Sequence, residues 1–141
     1  MQIQFRQFHP DDTEQIVALW QACGLTRPWN DPRKDIERKL QEEPELFIVA
    51  EREGELLGSV MAGYDGHRGW IYYLSVLPAQ QAQGVGKSLV LQAEQKLLAK
   101  GCPKIQLMIR SDNSSVRAFY SALGYESADV VVMGKRLIED Q

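Results

Sequence analysis

Leu74-Ser-Val76-Leu-Pro78-Ala-Gln-Gln81-Ala-Gln-Gly84-Val-Gly86-Lys87-Ser-Leu89 joins the end of a β-forming run to the start of a helical one. Before it, Trp70-Ile-Tyr-Tyr-Leu-Ser-Val76 is rich in β-branched and aromatic residues, and Pro78 ends it. After it, Leu89, Val90, Ala93, Leu97 and Leu98 share one helical face over 86–100, and Gly101 is the stop. The first backbone N–H groups of such a helix lack intrahelical partners, and its dipole is positive there. The junction therefore predicts an anion site suited to a pyrophosphate. Gly84 and Gly86 would let phosphate oxygens approach the backbone, and Lys87 would add charge at the rim.

Several patterns compete for this loop. A Walker A loop fits Gly86-Lys87-Ser88, but Gln81 stands where its first glycine belongs. A dinucleotide fingerprint fits Gly84 and Gly86, but Leu89 replaces its third glycine. Gln/Arg-x-x-Gly-x-Gly/Ala is matched throughout by Gln81-Ala82-Gln83-Gly84-Val85-Gly86. A plain tight turn is the fourth reading.

Working outward, residues 2–8 alternate as a first strand. Asp11, Asp12 and Thr13 open a helix with Ile16, Val17, Leu19 and Trp20 on one face, ended by Gly24. A loop to Pro32 follows, and Asp31-Pro32 starts a second helix that Pro44 ends. Two strands, 46–51 and 55–64, are joined by Glu53-Gly54, and Asp65-Gly66 is a hairpin signal before the strand at 69–76. Ile105, Leu107 and Ile109 alternate in a further strand. Asp112 or Asn113 caps a helix carrying Val116, Phe119, Tyr120 and Leu123, closed by Gly124. Residues 125–137 are expected as one or two final strands. The order β-α-α-β-β-β-α-β-α-β predicts a mixed sheet flanked by helices.

A length of 141 residues fits one domain, 1–141. The net charge of −3 argues against broad electrostatic binding to nucleic acid. No apolar run approaches bilayer-spanning length, and no charged-then-apolar leader opens the chain, so no membrane partner and a cytoplasmic location are expected. Cys23 and Cys102 stand alone and are read as reduced, small buried side chains. With two scattered histidines beside them, ligand spacing is absent and no metal is expected.

At two places the chain resembles the GNAT superfamily of N-acetyltransferases. Gln81 to Gly86 is similar to that family's pyrophosphate-binding motif, following Leu74-Ser-Val76, which is similar to the end of its central strand. Asn113-Ser-Ser-Val-Arg-Ala118-Phe-Tyr120-Ser-Ala-Leu-Gly124-Tyr125 resembles its second signature. Within the family, Arg27–Pro32, Tyr64–Gly69, Gly101–Ile105 and Gly134–Asp140 are similar to the bacterial YpeA-type acetyltransferases, a likeness that covers nearly the whole chain.

The resemblance implies an α/β (α+β) fold with a mixed, mostly antiparallel central sheet of six to seven strands and about four helices. It implies acetyl-CoA as co-substrate and acetyl transfer to a primary amine. The pantetheine would pair with backbone of Leu74 and Val76, between strands splayed apart there and at Lys104–Ile109. A backbone N–H there would stabilise the oxyanion. Gln81, Ala82, Gln83, Gly84, Val85, Gly86, Lys87 and Asn113 would meet the cofactor. Asn113 also reads as a plain helix cap. Tyr120 holds the family position of the general acid; its spacing alone reads as core packing. Arg27, Trp29 and Asn30, with Tyr72 and Tyr73, are the acceptor-binding candidates. Arg27 would bind an acceptor carboxylate; Trp29 would form an apolar wall or lie as a lid over the core.

Two departures matter. Many relatives carry Arg-Gly-Arg-Gly where this chain has Gln81-Ala82-Gln83-Gly84, so two cations are missing near the pyrophosphate. An exposed charge pair contributes about 0–1 kcal/mol, so backbone donors should still suffice. The stretch where relatives place a catalytic carboxylate is Tyr72-Tyr73. His67 is read as a turn residue, since six strand residues to Tyr73 span about 20 Å. His9 is read as a strand end. A water chain, or an amine arriving deprotonated, would replace the base.

Two other functions stay open at this point. The missing carboxylate suits a catalytically weak acetyl-CoA-binding or sensor protein. Gly86-Lys87-Ser88 suits a nucleotide-binding protein, which would need a magnesium-binding acid. The partner expected is a small-molecule or peptide amine. Val130-Val-Val-Met133 would pair across a homodimer or complete the core.

Overall fold

The computed structural model describes residues 2–140. One five-stranded sheet runs in chain order: β1 (Gln4–Gln7), β2 (Phe47–Arg52), β3 (Glu55–Tyr64), β4 (Gly69–Val76) and β5 (Ile105–Leu107). The first three pairings are antiparallel and β4–β5 is parallel. Four helices flank it: α1 (Thr13–Ala22), α2 (Pro32–Leu40), α3 (Val85–Ala99) and α4 (Ser114–Ala122). None among the described residues is long and apolar enough to cross a membrane.

The sheet is buried on both faces because β2 and β3 are apolar at successive positions. Phe47, Val49, Leu56 and Met61 face α1 and α2, where Ile16, Val17, Trp20 and Ile36 meet them. Ile48, Ala50, Leu57, Val60 and Ile71 face Leu89, Val90, Ala93 and Leu97 of α3. Turn chemistry closes the hairpins. Glu53 and Gly54 both have positive φ, 53° and 82°, and join β2 to β3 as a two-residue turn. The β3–β4 loop is wider than Asp65-Gly66 suggests: Tyr64 pairs with Gly69, and Asp65 Oδ1 accepts from the N–H groups of His67 and Arg68. His67 is thus a turn residue. His9 caps a short 3₁₀ turn before α1, its Nδ1 accepting from Asp11 N.

The expectation of six to seven strands is corrected to five. Residues 125–137 form no strand, and β5 stops at Leu107 rather than Ile109. A three-residue β5 offers little edge for a sixth strand, and the chain end is drawn to α2 instead. Asp140 there accepts from Arg38 (2.6 Å), Arg136 (2.7 Å) and the Asp31 N–H (2.8 Å), with its side chain only 2% exposed. Val130–Met133 consequently lies outside the core, with Val131 87% exposed.

That anchor makes acid stability predictable in sign. The hydrogen bond from Arg38, then that from the Asp31 N–H, then Arg136 hold the Asp140 carboxyl well below the usual range. A depressed folded-state pKa contributes stability above the unfolded value, about 3.9, that is lost as pH falls below it. Asp140→Asn is therefore expected to lower the melting temperature at neutral pH. The gap to wild type should close as pH drops below about 4, which melts over that range will check.

Candidate functional site

The glycine loop sits at the N-terminus of α3, as its pattern requires. Ala82 and Gly84 take positive φ, 66° and 88°, and a Cβ added at Gly84 would meet nothing within 4 Å. No side chain caps α3, and its first bond runs from Ser88 N to Gly84 O at 3.0 Å. The N–H groups of Val85, Gly86 and Lys87 thus have no intrahelical partner. The two glycines differ in role. A Cβ at Gly86 would sit in ordinary contact with Phe119 Cζ at 3.4 Å and Val76 Cγ2 at 3.5 Å, so Gly86 packs between α4 and β4. Gln83 and Lys87 are exposed and Val85 is buried, leaving only its backbone to face a ligand. Gln81 turns back: its amide donates to the Val76 carbonyl at 3.1 Å.

Beside this loop the sheet opens. β4 pairs with β5 only from Gly69 to Ile71, so the Tyr72–Val76 edge has no strand on that side. Leu74 lies along this free edge. The Val76 carbonyl is engaged by the Gln81 amide and by Cys23 Sγ at 3.2 Å. Both cysteines are free, and Cys102 is buried as expected.

At the mouth of the opening, β4 carries a bulge. Ser59 pairs with Ser75 and Met61 with Tyr72, so Tyr73 and Leu74 together oppose Val60. Tyr73 has φ 52°, a rare conformation for a bulky residue. The bulge re-aims its ring to the α1 face, where it stacks on Trp20 at 3.8 Å, while Leu74 packs on the α3 face. A buried polar chain holds it: Trp20 Nε1 donates to Ser59 Oγ (2.9 Å), which donates to the Tyr73 carbonyl (2.9 Å) and lies 2.7 Å from Ser75 Oγ.

The Tyr73 hydroxyl donates to Asp35 Oδ2 of α2 at 2.7 Å and accepts from Asn30 Nδ2 at 3.1 Å. Asn30 also donates to Asp35, and Arg136 donates to Asn30 Oδ1 at 3.1 Å. Arg38 bridges Asp35 (3.2 Å) and Asp140. A cavity of about 560 Å³ lies here between α2, β3 and β4, lined by Asp35, Lys39, Glu43, Asp65, Tyr72 and Tyr73. Among the acceptor candidates the structure therefore brings together Asn30, Tyr72 and Tyr73. Arg27 is folded onto its own loop, donating to the carbonyls of Gly24 and Thr26. Trp29 is 56% exposed and covers no core.

On the opposite face, Tyr120 is buried between Phe119 and Tyr125 in edge-to-face packing. Burial pushes its phenol pKa up, so it keeps its proton at neutral pH. Asn113 caps α4, its Oδ1 accepting from Val116 N at 3.2 Å. Sequence reasoning missed Asp35 and Ser59. Asp35 looks like one more charge on a polar helix face, whereas Ser59 had a readable signal, a hydroxyl inside an apolar strand.

Comparison with known proteins shows the family and the fold. The sequence model of the acetyltransferase (GNAT) family matches residues 13–125. An acetyltransferase of Pectobacterium atrosepticum is 53% identical over 139 residues, covering 99% of each chain. One of Sodalis glossinidius is 54% identical over 140 residues with the same coverage. Among solved structures, the aminoglycoside acetyltransferase AAC(6')-Iy bound to a coenzyme A bisubstrate analogue superposes with TM-score 0.79 at 20% identity, covering 98% of this chain and 100% of that one. The PaiA N-acetyltransferase of Thermoplasma acidophilum with coenzyme A gives 0.72 at 21% identity, covering 93% and 94%.

Proposed function

The chain belongs to the acetyltransferase (GNAT) family and is an acetyl-CoA-dependent N-acetyltransferase, and on that premise we propose direct attack by a primary amine on acetyl-CoA within a ternary complex. The observation that carries the reading is the adjacency of an uncapped α3 N-terminus and an unpaired β4 edge. The first offers backbone donors and a positive dipole to the pyrophosphate. The second offers main-chain pairing to an extended pantetheine. The acceptor, a small-molecule or peptide amine, enters from the α1–α2 face through the cavity beside Tyr72 and Tyr73. Tyr120 protonates the departing thiolate from the α4 face. Asn113 and Lys87 stand at the rim as further cofactor contacts.

Titration with acetyl-CoA, and separately with ATP and magnesium, tests this. A ligand at 100 times its dissociation constant stabilises the fold by about 2.7 kcal/mol. A raised melting temperature with acetyl-CoA alone is expected. A response only to ATP would reject the reading.

A further inference from the structure

We propose that Asp35, acting through the Tyr73 hydroxyl, takes up the proton released by the acceptor amine. This rests on the acetyltransferase reading and supplies the proton acceptor that β4 itself lacks, with Tyr72-Tyr73 in place of a carboxylate.

Geometry carries the inference. Tyr73 lies two residues beyond the last β4–β5 pair, so its backbone borders the free edge, and the bulge turns its ring to the acceptor face. Its ring is fixed by stacking on Trp20, its carbonyl by Ser59, and its hydroxyl by Asn30 and Asp35. A phenol hydroxyl donates one bond and accepts another, and the acceptor position of Tyr73 is held by Asn30. An amine N–H in the cavity that Tyr73 and Asp35 both line would take that position, Asn30 keeping its bond to Asp35. The hydroxyl proton already points at Asp35 Oδ2, 2.7 Å away. Burial, then the Asp35 carboxylate, push the Tyr73 phenol well above its ordinary value, so it passes a proton on rather than ending as the base.

The step balances. The amine nitrogen attacks the thioester carbon and the C–N bond forms. One amine proton moves to Tyr73 Oη as the Tyr73 proton moves to Asp35 Oδ2. The C–S bond breaks, and the thiolate takes the Tyr120 proton. Water then returns a proton to Tyr120 and accepts one from Asp35. Uptake on the α1–α2 face and donation on the α4 face fall on opposite sides of the sheet, so neither group competes for the other's proton.

Asp35 acts through another residue, so its test needs readouts that a structural role would not move. The charged and titratable groups around it and its cavity are Tyr72 and Tyr73 from β4, Tyr64 from β3, Arg38 and Lys39 from α2, Glu42 and Glu43 just beyond α2, Asp65 from the β3–β4 loop, and Arg136 and Asp140 from the chain end. Wild type, Asp35→Asn, Asp35→Glu and Tyr73→Phe would be assayed for coenzyme A thiol release. The amines are putrescine, glycine methyl ester and neamine, each from about pH 6 to 11, spanning the usual amine range. Asp35→Asn and Tyr73→Phe are expected to lose about 10²-fold or more in kcat, the usual contribution of a positioned base. The rising limb of the pH profile should move upward in Asp35→Asn, and Asp35→Glu should restore part of the rate. All variants should keep the thermal response to acetyl-CoA. Equal loss at every pH without rescue by glutamate would overturn the inference. So would wild type that binds acetyl-CoA but acetylates none of these amines. Wild type that fails to bind acetyl-CoA would instead reject the underlying acetyltransferase reading.

Discussion

Tyr120→Phe is expected to lower kcat by about 10²-fold or more, the range of a lost general acid, with acetyl-CoA affinity little changed. The substitution removes only an oxygen. The ring keeps its edge-to-face contacts with Phe119 (5.1 Å) and Tyr125 (5.4 Å), so the fold should not move. Tyr125→Phe is the contrasting control, since it breaks a 2.7 Å bond to Glu94 that ties the end of α4 to α3. The size of the Tyr120 effect follows from acidity. An ordinary thiol titrates near 8.5 and a phenol near 10, so full transfer from phenol to free thiolate is uphill by about 2 kcal/mol. Burial raises the Tyr120 pKa and widens that gap. Donation must therefore accompany C–S cleavage, which places the effect toward the lower end of the range. A thioester with a more acidic leaving thiol should narrow the difference between variant and wild type. Unchanged kcat with either thioester would remove Tyr120 from the mechanism.

What the sequence made legible was local and periodic. The α3 stripe of Leu89, Val90, Ala93 and Leu97, the Asn113 cap, the Asp31-Pro32 helix start and the β3 and β4 spans follow from spacing, caps and breakers, and each is where those signals place it, whereas Leu98, read on the same α3 face, is 73% exposed. The glycine loop was legible because its pattern sits between a strand and a helix. The chain end was not. Val130–Met133 has strand composition, but a strand needs an edge, and β5 supplies three residues. The pull on this segment comes from Asp140 and Arg136 closing on Arg38, Asp31 and Asn30, more than 100 positions away. Long-range ion pairs leave no local pattern. The same holds for the acceptor side. Asn30, Asp35 and Tyr73 are separated in sequence and meet only because a bulge turns Tyr73 toward α2, and no propensity scale encodes φ 52° for a tyrosine.

Trp20→Ala is expected to cost about 3–5 kcal/mol of stability, the range for deleting a buried large aromatic side chain. Two losses contribute, and their sizes can be ordered. Trp20 is fully buried, stacked on Tyr73 at 3.8 Å and near Phe47 at 6.1 Å. It also donates to Ser59. A net hydrogen bond is worth about 0.5–1.5 kcal/mol, and Ser59 keeps its contacts to Ser75 and the Tyr73 carbonyl. Packing therefore dominates, and Trp20→Phe, which keeps a ring but loses the N–H, should cost much less than Trp20→Ala. Against a typical total of about 5–15 kcal/mol, the alanine variant sits near the edge of folding, so urea titration should be run with acetyl-CoA present and absent. The functional loss should exceed the unfolded fraction. Tyr73 is held in a strained conformation costing about 1–3 kcal/mol, which persists only while its surroundings over-determine it. Removing its stacking partner frees the ring, and amine transfer should fall even in molecules that remain folded. A double-mutant cycle with Tyr73→Ala should show coupling of about 0.5–1.5 kcal/mol, as for other aromatic pairs. Full additivity would mean that Trp20 supports the core alone and that something else fixes the Tyr73 ring at the acceptor site.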